Sequence, residues 1–194
     1  MFIPRVRSVK FHQARCTLLT LSLGLLTGSD GFAASSPGGV EPGMTAPPFS
    51  GARIDGGTLG LEALRGHVIL LNFWAVNCPP CRIEMPELEK LHRRYEHRGL
   101  RLIGITQMNP ERDQVARFIQ EIRVTYPILL DPEVRIGDLY GIVAHPTSVL
   151  IDANGIVRFV NTGYLKGEEK DIERAVREAL DAGGKPLHPQ ARKP

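Results

Sequence analysis

Two cysteines, Cys78 and Cys81, stand where a buried strand hands over to a helix, and this junction constrains the fold more than any other feature. His67 to Phe73 reads HVILLNF, a continuous apolar run of the kind buried on both faces of a covered parallel sheet. Pro79 and Pro80 follow, and proline suits the first helical positions, where an N–H has no intrahelical partner. Met85, Leu88, Leu91 and Tyr95 then recur at spacings of three and four, and Gly99 ends the pattern. The first cysteine therefore meets the unpaired N–H groups and positive dipole end of a helix. Both favour thiolate over thiol, which makes Cys78 the attacking sulfur. Cys81, one turn on, faces inward and is close enough to bridge to it. In a strand–helix–strand setting such a pair reads as redox-active. Two blander readings stand beside it. Structural zinc usually takes four ligands, more than one pair supplies. An inert disulfide closing so short a loop would constrain the unfolded chain little.

The rest of the chain continues the alternation. Ile54-Asp55-Gly56-Gly57-Thr58-Leu59 predicts a hairpin turn between two short strands, and Leu61 to Leu64 a single helical turn. Leu100 to Thr106 predicts a strand and Glu111 to Ile122 a helix, with Val115, Phe118, Ile119 and Ile122 on one face. Tyr126 to Leu130 predicts a strand, and Val134 to Tyr140 a short helix closed by Gly141. Thr147 to Ile151 and Ile156 to Asn161 flank Asp152-Ala153-Asn154-Gly155, and the Asn-Gly pair predicts an antiparallel hairpin. A last amphipathic helix is expected over 168–182. The order implies an α/β domain with a mixed central sheet and helices on both faces.

The first 33 residues read as an address. Arg5, Arg7, Lys10 and Arg15 precede an apolar stretch from Thr17 to Leu26, and the small residues Gly31, Ala33 and Ala34 follow. The stretch is shorter than the roughly 20 residues of a bilayer span. It predicts a secretory signal peptide over 1–33, with an uncleaved N-terminal anchor as the alternative. Cys16 lies before the apolar stretch, out of place for lipidation. The whole chain carries a net charge of +3. Without residues 1–33 it holds 20 basic and 20 acidic side chains, and Cys78 and Cys81 are its only cysteines. The excess charge thus belongs to the address and points to no nucleic-acid partner. With 42% hydrophobic and 23% charged residues, the chain is not disordered throughout. Residues 34–48 are expected as a linker, 49–182 as the domain and 183–194 as a flexible tail.

The segment Asn72-Phe73-Trp74-Ala75-Val76-Asn77-Cys78-Pro79-Pro80-Cys81-Arg82-Ile83-Glu84-Met85-Pro86 resembles the active-site segment of the TlpA/ResA-type thioredoxin-like thiol–disulfide oxidoreductases. Ala46-Pro47-Pro48-Phe49, Leu64-Arg65-Gly66, Tyr140-Gly141-Ile142, His145-Pro146-Thr147 and Leu150 to Gly155 extend the resemblance over roughly residues 43–180. It implies a thioredoxin fold with an N-terminal β-hairpin extension and a central strand–helix insertion. It also implies an exported, extracytoplasmic or periplasmic enzyme without a cofactor. Cys78 would be the nucleophile, Cys81 the resolving thiol, and Cys78–Cys81 the redox disulfide. Pro146 would be a cis proline facing the pair and presenting a backbone edge to a substrate peptide. Trp74, Asn77, Pro79, Ala144 and His145 would bind that substrate. Glu84 would influence proton transfers of the pair as a proton acceptor, against the bland reading of a solvated helix-surface carboxylate. Asn72 stands where thioredoxins carry a buried Asp and cannot accept a proton.

Two positions depart from the family. Asn77 replaces the usual Trp before the first cysteine and is expected to cap the helix or bond a partner. His145 replaces a small, apolar or Thr residue before the proline. It reads as a solvent-facing side chain, as a modulator of Cys78, or as the third ligand of a Cu(I) site with Cys78 and Cys81. Pro79 and Pro80 withhold N–H groups from a Cys78 thiolate and predict a comparatively reducing pair. The leading expectation is reduction of periplasmic protein disulfides, with apocytochrome c or copper-site proteins as substrates and a membrane thiol-transfer protein as electron donor. A Cu(I)-delivery protein and a dithiol oxidase are the alternatives.

Overall fold

The computed structural model describes residues 39–108 and 111–183. The predicted signal segment, the start of the linker and the tail from residue 184 lie outside the described residues. Among the described residues no helix is long and apolar enough to cross a membrane.

The elements run β1 (Ser50–Arg53), β2 (Thr58–Gly60), β3 (Val68–Trp74), α1 (Pro79–Tyr95), β4 (Leu100–Thr106), α2 (Arg112–Ile122), β5 (Ile128–Leu130), α3 (Arg135–Tyr140), β6 (Thr147–Ile151), β7 (Val157–Thr162) and α4 (Glu169–Asp181). Leu61–Leu64 forms a single 3-10 turn, and Pro86 lies inside α1 without ending it. The strands make one seven-stranded sheet in the order β2-β1-β5-β4-β3-β6-β7. Strands β3, β4 and β5 run parallel, and the flanking pairings are antiparallel. This is the expected mixed α/β thioredoxin fold with its N-terminal hairpin, β1–β2.

Every residue of β3 is buried. Alternation along it sorts the side chains: Val68, Leu70 and Trp74 join the core under α1, α2 and α4, while Ile69, Leu71 and Phe73 join the core on the opposite face with Leu61, Ile136 and Tyr140. Full burial of one such side chain stabilises by about 1.5–3 kcal/mol. The sheet is therefore held from both faces, as the unalternating apolar run requires.

The expected linker over 34–48 is packed from Val40 onward, which corrects an ordered boundary at Phe49. Val40 and Ala46 are buried, the Val40 N–H donates to the Tyr140 carbonyl at 3.1 Å, and the Tyr140 hydroxyl donates to the Pro47 carbonyl at 2.9 Å. Thr45 bridges to Ile156. A Pro- and Gly-rich composition argues against regular elements, but its backbone groups still pair singly with the domain. Gly141 permits the closest approach. Its φ is +65°, and a Cβ there would lie 2.1 Å from the Gly39 Cα. Gly141→Ala is expected to cost at least about 2 kcal/mol, because left-handed backbone alone costs ~1–2 kcal/mol. At roughly 2–4 °C per kcal/mol the melting temperature should fall by about 4–8 °C. An unchanged melting temperature would show that this strap is not seated on Gly141.

Candidate active site

Cys78 is the N-cap of α1, and its Sγ accepts the Cys81 backbone N–H at 3.2 Å. Pro79 and Pro80 have no N–H to add, so this donor stands alone within the first turn. The expected cap at Asn77 is not formed: Cys78 itself takes that place, and Asn77 lies outside the helix and exposed beside exposed Pro79. Cys78 and Cys81 form a disulfide with their Cα atoms 5.3 Å apart. Cys78 is 8% exposed and Cys81 is 0% exposed.

Behind the pair lies a buried polar group. Asn72 shares the face of β3 with Leu70 and Trp74, the face that α1 covers. Ser148 on β6 is its register partner and points the same way. Glu84, three residues past Cys81 on the inner side of α1, completes the group and is fully buried, which corrects the solvated reading. Asn72 Nδ2 donates to Glu84 Oε2 at 2.7 Å and to Ser148 Oγ at 3.2 Å, and Ser148 Oγ donates to Glu84 Oε1 at 3.3 Å. Burial pushes the Glu84 carboxyl up to about 7, against the lowering effect of the Asn72 and Ser148 hydrogen bonds. At neutral pH the group is poised between its two protonation states, as proton exchange requires.

The third side of the site is the start of β6. The His145–Pro146 peptide bond is cis. Phe73 pairs with Thr147 in the β3–β6 register, so this bond lies beside the segment that leads from β3 to Cys78. Ala144 is exposed and His145 is half-buried. Trp74, expected on the substrate edge, is fully buried instead and stacks on Phe118 with ring centroids 4.8 Å apart. Its parity on β3 sends it under α1 rather than to the rim.

His145 Nε2 lies 2.7 Å from Gln107 Oε1, and Gln107 Nε2 donates to Asp131 Oδ2 at 3.0 Å. Burial lowers the His145 pKa. In the oxidised pair the three residues of the copper alternative are not gathered as ligands: the two sulfurs are bonded to each other and His145 Nε2 is engaged by Gln107. Among the described residues no group of three or more His, Cys, Asp or Glu is gathered for a metal ion.

Sequence reasoning missed Ser148, Gln107 and Asp131. The alternation of Thr147 to Ile151 with the hairpin register was a usable signal for Ser148. Gln107 follows its strand with no pattern of its own. Also missed, among the described residues, were the exposed large apolar side chains Ile83, Met108, Val143 and Leu165, 54%, 71%, 93% and 73% exposed. Ile83 follows Cys81 by two positions, Met108 adjoins Gln107, Val143 precedes His145 by two, and Leu165 follows by two Gly163, whose N–H donates to the Pro146 carbonyl. Exposed apolar surface of this kind marks interaction sites.

Comparison with known proteins is consistent with this geometry. The AhpC/TSA family matches residues 42–160. The thiol-disulfide oxidoreductase ResA of Halalkalibacterium halodurans is 34% identical over 148 residues, covering 76% of this chain and 82% of that protein. The thioredoxin-like protein YneN of Bacillus subtilis is 32% identical over 134 residues, covering 69% of this chain and 78% of that protein. A crystal structure of a thiol:disulfide interchange protein of the thioredoxin family from Chlorobium tepidum superposes with a TM-score of 0.62 at 32% identity, covering 73% of this chain and 98% of that one.

Proposed function

Because the chain belongs to the AhpC/TSA family, and within it to the ResA-type thioredoxin-like thiol–disulfide oxidoreductases, we propose that this enzyme reduces protein disulfides outside the cytoplasm. Cys78 is the nucleophile and Cys81 the resolving thiol. The observation that carries the assignment is the asymmetry of the two cysteines: Cys78 is 8% exposed at a helix N-terminus, and Cys81 is 0% exposed. Reduced Cys78 attacks a substrate disulfide and forms a mixed disulfide. Cys81 then attacks the Cys78 sulfur, releasing reduced substrate and the Cys78–Cys81 bridge. Glu84 takes the proton of the inner thiol as Cys81 becomes a nucleophile, a role its burial and its raised pKa of about 7 support.

The reducing direction rests on Pro79 and Pro80, which leave the Cys78 thiolate the Cys81 N–H alone. A polypeptide substrate is favoured by the exposed apolar residues Ile83, Met108 and Val143 at the rim and by the cis-proline edge at Pro146 with Ala144 and Asn77 beside it. Apocytochrome c or copper-site proteins of the periplasm are the substrate classes, and a membrane thiol-transfer protein returns the electrons. Export rests on the address pattern of residues 1–33.

Substitution of the resolving thiol tests the reading. Cys81→Ala should stall on the first step and accumulate a protein–Cys78 mixed disulfide, which reducing agent releases. Mass spectrometry of the trapped species names the substrate. If the variant traps no protein in the compartment where the enzyme resides, peptide-disulfide exchange is not its work.

A further inference from the structure

His145 belongs to a buried chain of hydrogen bonds that fixes which of its nitrogens carries the proton. Asp131 sits at the start of α3. Its Oδ1 accepts the Ile136 N–H at 3.1 Å, and its Oδ2 accepts the Gly137 N–H at 2.9 Å and Gln107 Nε2 at 3.0 Å. Its partners are all N–H donors, so Gln107 has to turn its NH2 toward Asp131. Gln107 Oε1 then faces His145, and an amide oxygen only accepts. His145 Nε2, at 2.7 Å, must be the N–H. In the neutral imidazole Nδ1 is therefore the bare acceptor, and among the described residues it makes no hydrogen bond.

The chain is built for this geometry. Gln107 is 1% exposed and Asp131 4% exposed. The Gln107 backbone N–H donates to the Trp74 carbonyl at 3.0 Å, which holds it at the end of β3 that leads to Cys78. Gly137 leaves the room: a Cβ there would lie 1.8 Å from Gln107 Nε2. Meanwhile, among the described residues, Cys78 Sγ has a single N–H donor, that of Cys81 at 3.2 Å. The β3–β6 register brings the His145–Pro146 edge alongside the residues that precede Cys78. A thiol short of stabilising donors thus shares one end of the central strands with an imidazole whose free nitrogen is set to accept.

We propose that His145 is the proton carrier for Cys78, with Gln107 and Asp131 as the residues that position it. This rests on the assignment of Cys78 as nucleophile. Neutral His145 takes the proton of the Cys78 thiol on Nδ1. The thiolate attacks one substrate sulfur, so that the Cys78–substrate S–S bond forms as the substrate S–S bond breaks. The imidazolium returns the proton to the departing sulfur, which leaves as a thiol. Asp131 reaches the imidazole only through Gln107. Burial lowers the His145 pKa, which favours the neutral imidazole that can accept a proton.

The test is the pH profile of Cys78 alkylation by iodoacetamide in the reduced full chain, with the labelled residue mapped by mass spectrometry. His145→Gln keeps a donor for Gln107 but carries no proton. At pH 6.5 it should alkylate at least about tenfold more slowly than the parent, the lower end of general-base effects being larger still. By about pH 9 the difference should vanish, since a free thiol ionises near 8.5 unaided. Gln107→Leu and Gly137→Ala should shift the profile the same way. The 15N resonances of His145 should report the Nε2–H tautomer in the parent and a mixture in both positioning variants. Parallel profiles, a loss that persists at pH 9, or an Nδ1–H tautomer in the parent each overturn the proton carrier while label on Cys78 leaves the nucleophile standing. Label on Cys81 overturns both.

Discussion

Cys78→Ser is expected to remove thiol–disulfide exchange altogether, lowering the dithiothreitol-driven reduction of insulin by at least about a thousandfold, since loss of a covalent nucleophile leaves only binding and orientation. Cys81→Ser should behave differently. It should lose turnover yet still complete one attack, because the less deeply buried cysteine at the helix start is untouched. The difference follows from position rather than chemistry. Both residues carry the same group, but Cys78 is the helix cap with a measure of exposure and Cys81 is sealed under α1. Rapid-quench detection of the mixed disulfide separates the two. A mixed disulfide formed by Cys78→Ser and not by Cys81→Ser would reverse the roles.

The second large effect is on stability. Glu84 titrates at about 7 in the folded chain because burial penalises its charge, against an ordinary value of 4.5 when the chain is unfolded. The folded state then binds more protons than the unfolded state between these values. Stability therefore falls as pH rises from about 4.5 to about 7, the reverse of the usual carboxylate, and is flat on either side as far as this residue is concerned. The difference corresponds to about 3 kcal/mol at alkaline pH. Glu84→Gln removes the titration and keeps the shape: its carbonyl can accept from Asn72 Nδ2, and its NH2 can donate to the Ser148 hydroxyl. The variant should be more stable than the parent by about 3 kcal/mol at pH 8, or roughly 6–12 °C at the scale of this domain. At pH 4 the two should match. Guanidinium unfolding of the oxidised proteins at both pH values measures it. Equal gains at pH 4 and 8 would mean that charge burial is not the cause. The same substitution should slow the resolving step, so that the stability gain accompanies a loss of function.

The redox pair was legible because its signals are local. A Cys-x-x-Cys between an apolar strand and a proline-started helix needs no distant partner to be read, and Cys78 and Cys81 lie where that pattern puts them. The elements were legible for the same reason: β4 is an apolar run, α2 follows a period of 3.6, and the Asn-Gly turn marks the β6–β7 hairpin, each within its own segment. The strap over Val40 to Pro48 was not, since composition reports the lack of regular structure and is silent on packing. Trp74 shows how a local motif misleads. It belongs to the active-site segment in sequence, yet strand parity turns it into the core against Phe118.

By itself, then, the sequence determined the chemistry at Cys78 and Cys81, the alternation of strands and helices, and the family. Only the tertiary structure decided the polar surroundings of the pair. Asn72, Glu84 and Ser148 come from three elements, and Asp131, Gln107 and His145 from three loops at strand ends. Such groups meet through strand register and through which helix covers which face. Their energy comes from burial, where a polar group left unpaired is costly and a paired one is held in place. Neither register nor burial is a property of any one segment.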